Sequence, residues 1–215
     1  MIRKREAILF SGISRTGKST LFREYIAKTE RFIIIDTLSE YWRLDPPFPA
    51  LTIDSLEQLY SYLAENHGKN YRIIFNPEDL MDKICLKDGS ESTIFNETCR
   101  LVYTHLSNVV LGIEELADHT KPGFAPLYLQ RLVRSGGHHG ISVYTTTQRP
   151  KEIWTGFRGQ LTKFISFKLY DESDLEWVAS AIRDKQEAST LADLENLNGA
   201  PGARVKGKHY KEYVL

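Results

Sequence analysis

The stretch AILFSGISRTGKST, residues 7 to 20, decides the fold of this chain. Its first four residues are apolar and, with Ser11, form the short run that is expected of a strand buried on both faces. Apolar residues then recur at helical spacing from Leu21 to Ile26. Between the strand and the helix lies the order G-x-x-x-x-G-K-S-T, beginning at Gly12. This is a P-loop pattern in the context that it requires, with a strand before it and a helix after it.

Each residue type in this pattern has a mechanical reason. Glycines let the backbone curl so that successive N–H groups point at phosphate oxygens, and the helix N-terminus adds partial positive charge. Lys18 is expected to reach the β and γ phosphates, Ser19 to place its hydroxyl on Mg²⁺, and Thr20 to lie nearer the α phosphate. The predicted nucleotide-binding residues are Gly12, Ile13, Ser14, Arg15, Thr16, Gly17, Lys18, Ser19 and Thr20. The pattern therefore predicts ATP and Mg²⁺ as cofactors, against the alternative of a glycine turn whose lysine is merely solvated.

Short β-branched or aromatic runs alternate with helical patterns along the rest of the chain. This alternation predicts an α/β fold, a doubly wound and mainly parallel sheet with helices on both faces. The candidate strands are residues 7–11, 32–36, 71–75, 109–113, 141–146 and 164–169. The tail, residues 199–215, predicts a closing hairpin at the sheet edge. The length of 215 residues favours one domain over residues 1–215.

Some connections and helix starts also carry sequence signals. Three prolines in DPPFP, residues 45–49, predict a loop, as does the polar segment CLKDGSES, residues 85–92. Asp54 and Glu57 have the spacing of a helix start, and Ser173 could cap the last long helix. The stripe of Phe95, Cys99, Val102 and Leu106 marks a further helix, in which Cys99 is expected to be a core side chain.

Composition limits the functions that the chain can have. Its 28 basic and 28 acidic residues cancel, so no overall field would hold it on nucleic acid or an anionic membrane. Its two cysteines and the absence of a nearby histidine pair argue against a disulfide framework or a zinc site. The apolar run that follows the charged N-terminal segment is too short for a signal peptide. No later stretch reaches the eighteen consecutive apolar residues that a membrane-spanning helix needs. We therefore expect a cytoplasmic protein without direct membrane insertion.

A second motif lies where the run NVVLGI meets two adjacent carboxylates, Glu114 and Glu115. Ligands of doubly wound sheets lie beyond the carboxyl ends of the strands, so both acids are expected beside the phosphates. Period-two alternation would point them to opposite faces. Glu114 would then take the Mg²⁺ side, and Glu115 would hold or activate a water at the γ phosphate. The alternative is a solvated pair that opens a loop.

Three further stretches distinguish among P-loop proteins. FIIIDTLSEYWRL has Asp36, Glu40 and Tyr41 after the second strand, TTQRP ends a later strand, and FISFKLYDESD joins a late strand to an acidic helix start. Together with the P-loop, this ordered set resembles the HerA/FtsK superfamily of ring-forming DNA-pumping ATPases, from residue 7 to the tail. Without any added module, the chain looks most like the viral genome-packaging ATPases of that superfamily.

The resemblance implies a RecA-like ATPase core of the additional-strand type that hydrolyses ATP and drives double-stranded DNA into a capsid. It implies a homo-oligomeric ring, a hexamer, acting in the host cytoplasm or on the virion, with capsid or portal-vertex proteins as further partners. Gln148 would be the sensor of the γ phosphate. A neighbouring subunit would supply an arginine, for which Arg131 and Arg134 are the preferred candidates over Arg149 and Arg158.

Other functions remain compatible with the sequence. A cellular or plasmid DNA translocase of the same superfamily would usually carry extra modules. A small-molecule kinase is a further alternative. Many such kinases have glycine where this chain has Arg15 and need an arginine-rich lid, and neither feature appears in the sequence. A scaffold that binds ATP only to assemble would not need Glu115. Lys121, Lys151 and Arg158 lie in predicted loops and either contact DNA phosphates in a pore or are simply solvated.

Overall fold

Strands and helices alternate through most of this protein, as seen in a computed structural model that describes residues 5–39, 41, 49–86, 88–197, 205 and 207–215. In chain order the elements are β1 (Ala7–Ser11), α1 (Lys18–Ala27), β2 (Arg31–Ile35), β3 (Leu51–Ile53), α2 (Leu56–Glu65), β4 (Tyr71–Phe75), β5 (Lys83–Cys85), β6 (Glu91–Thr93), α3 (Ile94–His105), β7 (Val110–Ile113), α4 (Leu127–Ser135), β8 (Ser142–Thr147), α5 (Thr155–Arg158), β9 (Lys163–Phe167), α6 (Glu172–Ile182), α7 (Lys185–Ser189) and β10 (Tyr210–Val214).

Eight of these strands form one sheet, in the order β10-β9-β1-β8-β7-β2-β4-β3. The pairs of β1 with β9, β2 with β4 and β7, and β3 with β4 are parallel, whereas β10 runs antiparallel to β9 at one edge. The strand that precedes the P-loop is therefore separated from β7, which precedes the two glutamates, by the single strand β8. The predicted α/β fold with a mainly parallel sheet is confirmed.

One of two compact units contains the P-loop and comprises Glu6–Ala27, Glu115–Ala125 and Tyr144–Leu215. Every residue of β1 is buried, as its run of four apolar residues predicts. The ring of Phe10 packs edge-on against Phe22 and Tyr25 of α1, with centroids 5.7 and 5.3 Å away. These contacts hold the first helix against the strand before it, so they fix the direction in which the connecting loop must turn.

The other unit comprises Met1–Arg5, Lys28–Glu114 and Pro126–Val143. Its central strand is β2, in which Phe32 to Ile35 are fully buried between β4 and β7. In α3, Phe95, Cys99 and Val102 are fully buried, which confirms the predicted apolar stripe and the place of Cys99 in the core. Burial among apolar neighbours raises the pKa of the Cys99 thiol and keeps it protonated.

Two helix caps differ from the sequence prediction by a residue or two. Ser55, not Asp54, caps α2, and its hydroxyl accepts a hydrogen bond from the Gln58 N–H at 3.3 Å. Asp171, not Ser173, caps α6 and accepts from the N–H groups of Ser173 and Asp174. In both places several side chains suitable for capping lie close together, and the residue with an extended backbone takes the role.

Both ends of the polar segment at residues 85–92, which the sequence predicted as a loop, belong to strands. Cys85 ends β5 and Glu91 begins β6, and these two short strands pair as an antiparallel ladder of their own. The sequence likewise missed β3, a three-residue strand next to β4. At the C-terminus the predicted edge strand is present as β10, but it pairs with β9 rather than with another segment of the described tail. Residues 198–204 and 206 lie outside the described residues, as do Glu40 and residues 45–48 of the predicted proline loop.

Within the described residues, no helix combines the length and apolar character that crossing a membrane requires.

Candidate functional site

The backbone of the P-loop curls tightly over the ends of its neighbouring strands. The Gly12 N–H donates to the Thr147 carbonyl at 3.3 Å, and the Ile13 N–H to the Lys168 carbonyl at 3.0 Å. Gly12 has φ +146°, and a Cβ there would lie 2.5 Å from the Phe167 Cβ. Gly17 also has positive φ, at +104°. Both glycines of the motif are therefore required by conformation, and at Gly12 by close approach as well.

The lysine of the motif lies inside this curl. Lys18 is only 8% exposed, and its Nζ donates to the Ile13 carbonyl at 3.1 Å. The Thr16 hydroxyl donates to the same carbonyl at 2.8 Å. In α1, the Leu21 N–H bonds the Gly17 carbonyl, so the N–H groups before it have no acceptor within the helix. A buried ammonium and a helix N-terminus thus lie at one end of the same loop, which is the electrostatic requirement of a polyphosphate site.

Glu115 belongs to the same compact unit as the P-loop, and the end of β8 holds its carboxylate. Thr147 Oγ1 donates to Glu115 Oε1 at 2.9 Å. The Gln148 N–H lies 3.0 Å from Oε1 and 3.2 Å from Oε2. The side chain is 9% exposed, so a buried carboxylate is fixed by two donors on one side.

Two opposing influences act on the ionisation of Glu115. Burial raises the pKa of its carboxyl group, whereas the Gln148 N–H, the Thr147 hydroxyl and the charge of Lys18 lower it. Asp118 raises it further. The net direction is upward, so the carboxylate is more basic than one in water. A base held near a lysine of a phosphate cradle can orient a water molecule and accept its proton.

The backbone at the twin acids differs from the continuous strand that the sequence suggested. Strand β7 ends at Ile113, and Glu115 adopts the left-handed region with φ +44° and ψ +71°. Its N–H donates to Thr146 Oγ1 at 3.0 Å. Regular strand geometry, and with it period-two alternation, therefore ends before the acids, and Glu115 lies in a turn.

Glu114 belongs to the other unit and has its own partners there. Its carboxylate is buried and accepts from the Tyr41 hydroxyl at 3.4 Å, and its carbonyl accepts from Thr37 Oγ1 at 2.8 Å. Asp36 is also buried and accepts from the Tyr41 N–H at 3.2 Å. Tyr41 of the D-x-x-x-E-Y motif thus contacts the first acid, a contact that the sequence did not predict. An aromatic hydroxyl five residues after a buried aspartate was the available signal.

Gln148 lies directly after β8, where the sequence predicted it, and its side chain is exposed. The next residue, Arg149, is held through both its side chain and its main chain. Arg149 forms ion pairs with Asp174 at 2.7 Å and Asp171 at 3.1 Å, and its N–H donates to Thr147 Oγ1 at 3.2 Å. Arg149 is therefore engaged within its own chain, which weakens it as a candidate to act on a neighbouring one.

The remaining cationic candidates lie at several places. Arg131 and Arg134 are exposed on α4, and the Arg131 guanidinium lies 4.9 Å from the centroid of the Tyr128 ring. Arg158 lies 5.8 Å from the centroid of a Trp177 ring. The preference for Arg131 and Arg134 over the others stays a prediction.

The loop after Glu115 ends in a closed turn, residues 121–124, which we call the KPGF turn. Lys121 and Phe124 exchange two backbone hydrogen bonds of 2.9 Å. The Thr155 N–H and Oγ1 both donate to the Pro122 carbonyl, at 3.0 and 2.9 Å. All four residues are exposed, and Phe124 is 59% exposed. The turn is thus an outward-facing but anchored structure.

The strand order, the curled loop between β1 and α1 and the polar ends of β7 and β8 together define the P-loop NTPase fold. Comparison with known proteins supports this assignment at the level of structure. The genome-packaging NTPase B204 of Sulfolobus turreted icosahedral virus 2, solved with ATP-gammaS, superposes with a TM-score of 0.69 at 18% identity, covering 98% of this chain and 92% of that one.

Two further solved structures share the fold. The DNA-packaging ATPase B204 of Sulfolobus turreted icosahedral virus gives a TM-score of 0.66 at 20% identity, covering 92% of this chain and 91% of that one. VirB4 of Thermoanaerobacter pseudethanolicus gives 0.60 at 12% identity, covering 89% and 85%. No family model matches the chain, and no curated protein does. At these identities the likeness confirms the predicted fold and the predicted resemblance to viral packaging ATPases in structure.

Proposed function

We propose that this chain is an ATPase of the genome-packaging type, which hydrolyses ATP to move double-stranded DNA. The observation that carries the proposal is the joint placement of a buried P-loop lysine and a buried, doubly held glutamate in one compact unit. A phosphate cradle alone would serve binding. The added base is what hydrolysis needs, because water must be oriented and deprotonated to attack phosphorus.

In this proposal different residues of the chain bind ATP, activate water and sense the γ phosphate. Residues from Gly12 to Thr20 bind the triphosphate, and Lys18 neutralises charge on the β and γ phosphates. Glu115 orients the attacking water and takes its proton. Gln148, on the segment that also holds Glu115, reports the state of the γ phosphate to the chain beyond β8.

Magnesium fits the donors that the sequence assigns to it. Ser19 offers a hydroxyl and Glu114 a buried carboxylate, and hard oxygen donors are what Mg²⁺ prefers. The two residues belong to different units, and their sharing of one ion stays a prediction. Bound there, Mg²⁺ would act as a Lewis acid that withdraws charge from the phosphate.

The remaining parts of the proposal concern partners. We place the chain in a homo-oligomeric ring, a hexamer by resemblance, in which Arg131 or Arg134 of one subunit completes the site of the next. The exposure of both side chains supports this role. The anchored KPGF turn, with Lys121 beside an exposed Phe124, offers a cation and an aromatic ring to a DNA backbone, and Lys151 and Arg158 are further candidates. We further propose that the ring acts in the host cytoplasm and binds capsid or portal-vertex proteins.

The experiment that tests the proposal is a measurement of ATP turnover by the purified protein with and without double-stranded DNA. We expect turnover that DNA stimulates at low salt, with stimulation fading as salt rises, because contacts to phosphates release counterions. Lys18→Ala should abolish both ATP binding and turnover. DNA duplexes of equal length but different base sequence should stimulate equally, since a motor must not read bases.

The competing readings predict other outcomes of the same assay. A kinase would transfer phosphate to a small acceptor and ignore DNA. A non-hydrolysing scaffold would bind ATP without turnover, and Glu115→Gln would leave its assembly intact. Phosphate release by the Lys18→Ala protein at the unmodified rate would remove the proposed site altogether.

A further inference from the structure

We infer that Thr147 is the positioning residue that holds Glu115 in place for water activation. This inference deepens the proposed function and rests on it. Thr147 lies at the end of β8, is fully buried, and places its hydroxyl 2.9 Å from Glu115 Oε1. At this strand end the sequence predicted roles for Gln148 and Arg149, whereas the contact of Thr147 with Glu115 is visible in the structure alone.

The direction of the hydrogen bond follows from the neighbours of the hydroxyl. A threonine hydroxyl has one proton to donate and two lone pairs with which to accept. Thr147 Oγ1 accepts from the Arg149 N–H at 3.2 Å. A carboxylate can only accept, so the single proton of the hydroxyl must point at Glu115. The arrangement defines the orientation of both groups.

A second threonine fixes the backbone of the same glutamate. Glu115 has a left-handed conformation, which costs free energy for a residue with a side chain. Its N–H donates to Thr146 Oγ1 at 3.0 Å. Consecutive residues of β8 therefore hold the main chain and the carboxylate of Glu115, and the Gln148 N–H adds a further contact to the carboxylate. Strain at one residue, held by three long-range contacts, is what a preorganised base requires.

The chain that follows β8 is itself held by two aspartates at the start of α6. The Arg149 guanidinium pairs with Asp174 and Asp171 at the start of α6, and the Lys151 N–H donates to Asp174 at 3.1 Å. These contacts fix the main chain that follows Thr147. The hydroxyl therefore links the proposed base to a segment that is immobilised by ion pairs. Loss of the hydroxyl should leave that segment in place and release only the carboxylate.

Two substitutions at Thr147 separate this role from simple packing. Thr147→Val keeps the shape and removes the hydroxyl, and Thr147→Ser keeps the hydroxyl and removes a methyl group. We expect Thr147→Val to lower kcat for ATP about tenfold or more while KM changes less than about twofold. Thr147→Ser should recover at least half of the original kcat. A purely structural role would instead make both variants lose activity in proportion to their thermal stability.

The same strand supplies a matched control. Thr145 is also fully buried, but its hydroxyl donates to the Thr146 carbonyl rather than to Glu115. Thr145→Val should therefore leave kcat within about twofold. If Thr147→Val fails to fold, Thr147→Cys serves in its place, because a thiol is a weak donor of similar volume. Original kcat in a folded Thr147→Val or Thr147→Cys protein would overturn the inference.

A double-mutant cycle tests whether Thr147 acts through Glu115. In a Glu115→Gln background the base is already removed, so adding Thr147→Val should slow single-turnover hydrolysis by less than about twofold. A further tenfold loss would mean that Thr147 acts elsewhere, and the inference would fail while the ATPase proposal stands. Failure of the proposal itself has a different signature, since the unmodified protein would then not hydrolyse ATP or would match Lys18→Ala.

Discussion

At the scale of single residues, the chemistry of the proposed site depends on how charge is buried. Lys18 and Glu115 are both nearly excluded from water, and each has fixed hydrogen-bond partners. An ammonium and a carboxylate at the protein surface would be screened by solvent and would act weakly on a phosphate. Within this site each of them keeps its orientation before any substrate arrives, which is the condition for efficient electrostatic catalysis.

Replacing the proposed base should separate binding from chemistry. We expect Glu115→Gln to bind ATP as the unmodified protein does and to turn it over about a hundredfold more slowly or worse. The amide is nearly the same size, but it cannot take a proton from water. Isothermal titration with a non-hydrolysable nucleotide gives the affinity, and steady-state phosphate release gives the rate. Asp118→Asn, at an exposed acid three residues on, is the control and should stay within about twofold. Equal turnover by Glu115→Gln would contradict the assignment.

His119 should make stability depend on pH. Burial lowers the pKa of His119 to about 4 in the folded protein, against about 6.5 in an unfolded chain. The unfolded state therefore binds more protons between these values. The stabilisation is complete above about pH 6.5 and is lost as pH falls through 4, by about 3 kcal/mol in all.

Urea unfolding from pH 7 to pH 4.5 measures this effect against a variant. His119→Gln cannot titrate, so its stability should fall less steeply over the same range than that of the unmodified protein. The carboxyl groups whose pKa burial raises, such as those of Glu115 and Asp118, are common to both proteins and cancel in the difference. Parallel pH profiles of the two proteins would mean that His119 has the same pKa in the folded and the unfolded state, and would contradict the prediction.

At the scale of secondary-structure elements, the start of α2 gives a prediction about capping. The Ser55 hydroxyl accepts from the Gln58 N–H, so Ser55→Ala leaves a helix N–H without its acceptor. We expect a loss of about 1 kcal/mol in the free energy of unfolding, measured by urea denaturation. Asp54→Ala, one residue earlier, should cost less than half of that. The reverse ranking would restore Asp54 as the cap that the sequence pattern suggested.

The strands could be predicted well because burial on both faces leaves a plain sequence signal. β1, β4, β7 and β8 were each located within about a residue from runs of apolar or β-branched residues. Caps were less predictable, because adjacent residues such as Asp54 and Ser55 can both serve and the backbone conformation decides between them. The short strand β3 lies at the sheet edge with two of its three residues exposed, and so it carries no such signal.

The site was predictable in its parts but not in its internal contacts. The P-loop could be located because its function needs glycines at fixed spacing before a helix. The turn at Glu115 could not, because residues 31 to 33 positions later in the chain hold it in place. The contact of Tyr41 with Glu114 spans 73 positions and was equally hidden. Long-range hydrogen bonds of this kind leave no local pattern from which to infer them.

At the scale of the whole molecule, the balance of charge bears on how DNA would be held. The chain carries 28 basic and 28 acidic residues, so one copy has little long-range attraction for a polyanion. A ring repeats each local contact on every subunit, and linked weak contacts gain affinity through effective concentration. Assembly would therefore supply the DNA affinity that the single chain lacks, which makes the interface between subunits part of the proposed activity.

Mixing experiments should reveal whether an arginine acts between subunits. Arg131→Ala and Arg134→Ala are each expected to lower DNA-stimulated turnover if that residue completes the neighbouring site. Lys18→Ala has an inactive site but an intact α4. When it is mixed with an inactive arginine variant, the arginine-deficient subunits regain a working neighbour, so turnover should exceed the sum of the separate proteins.

The control for this experiment mixes Lys18→Ala with Glu115→Gln. Both changes lie in the same compact unit and are expected to damage the site of their own subunit, so no intact combination of site and neighbouring arginine forms. Turnover should then equal the sum of the separate activities. If neither arginine variant loses activity, α4 does not supply the cation. If an arginine variant is inactive and no mixture rescues it, that arginine serves its own subunit instead.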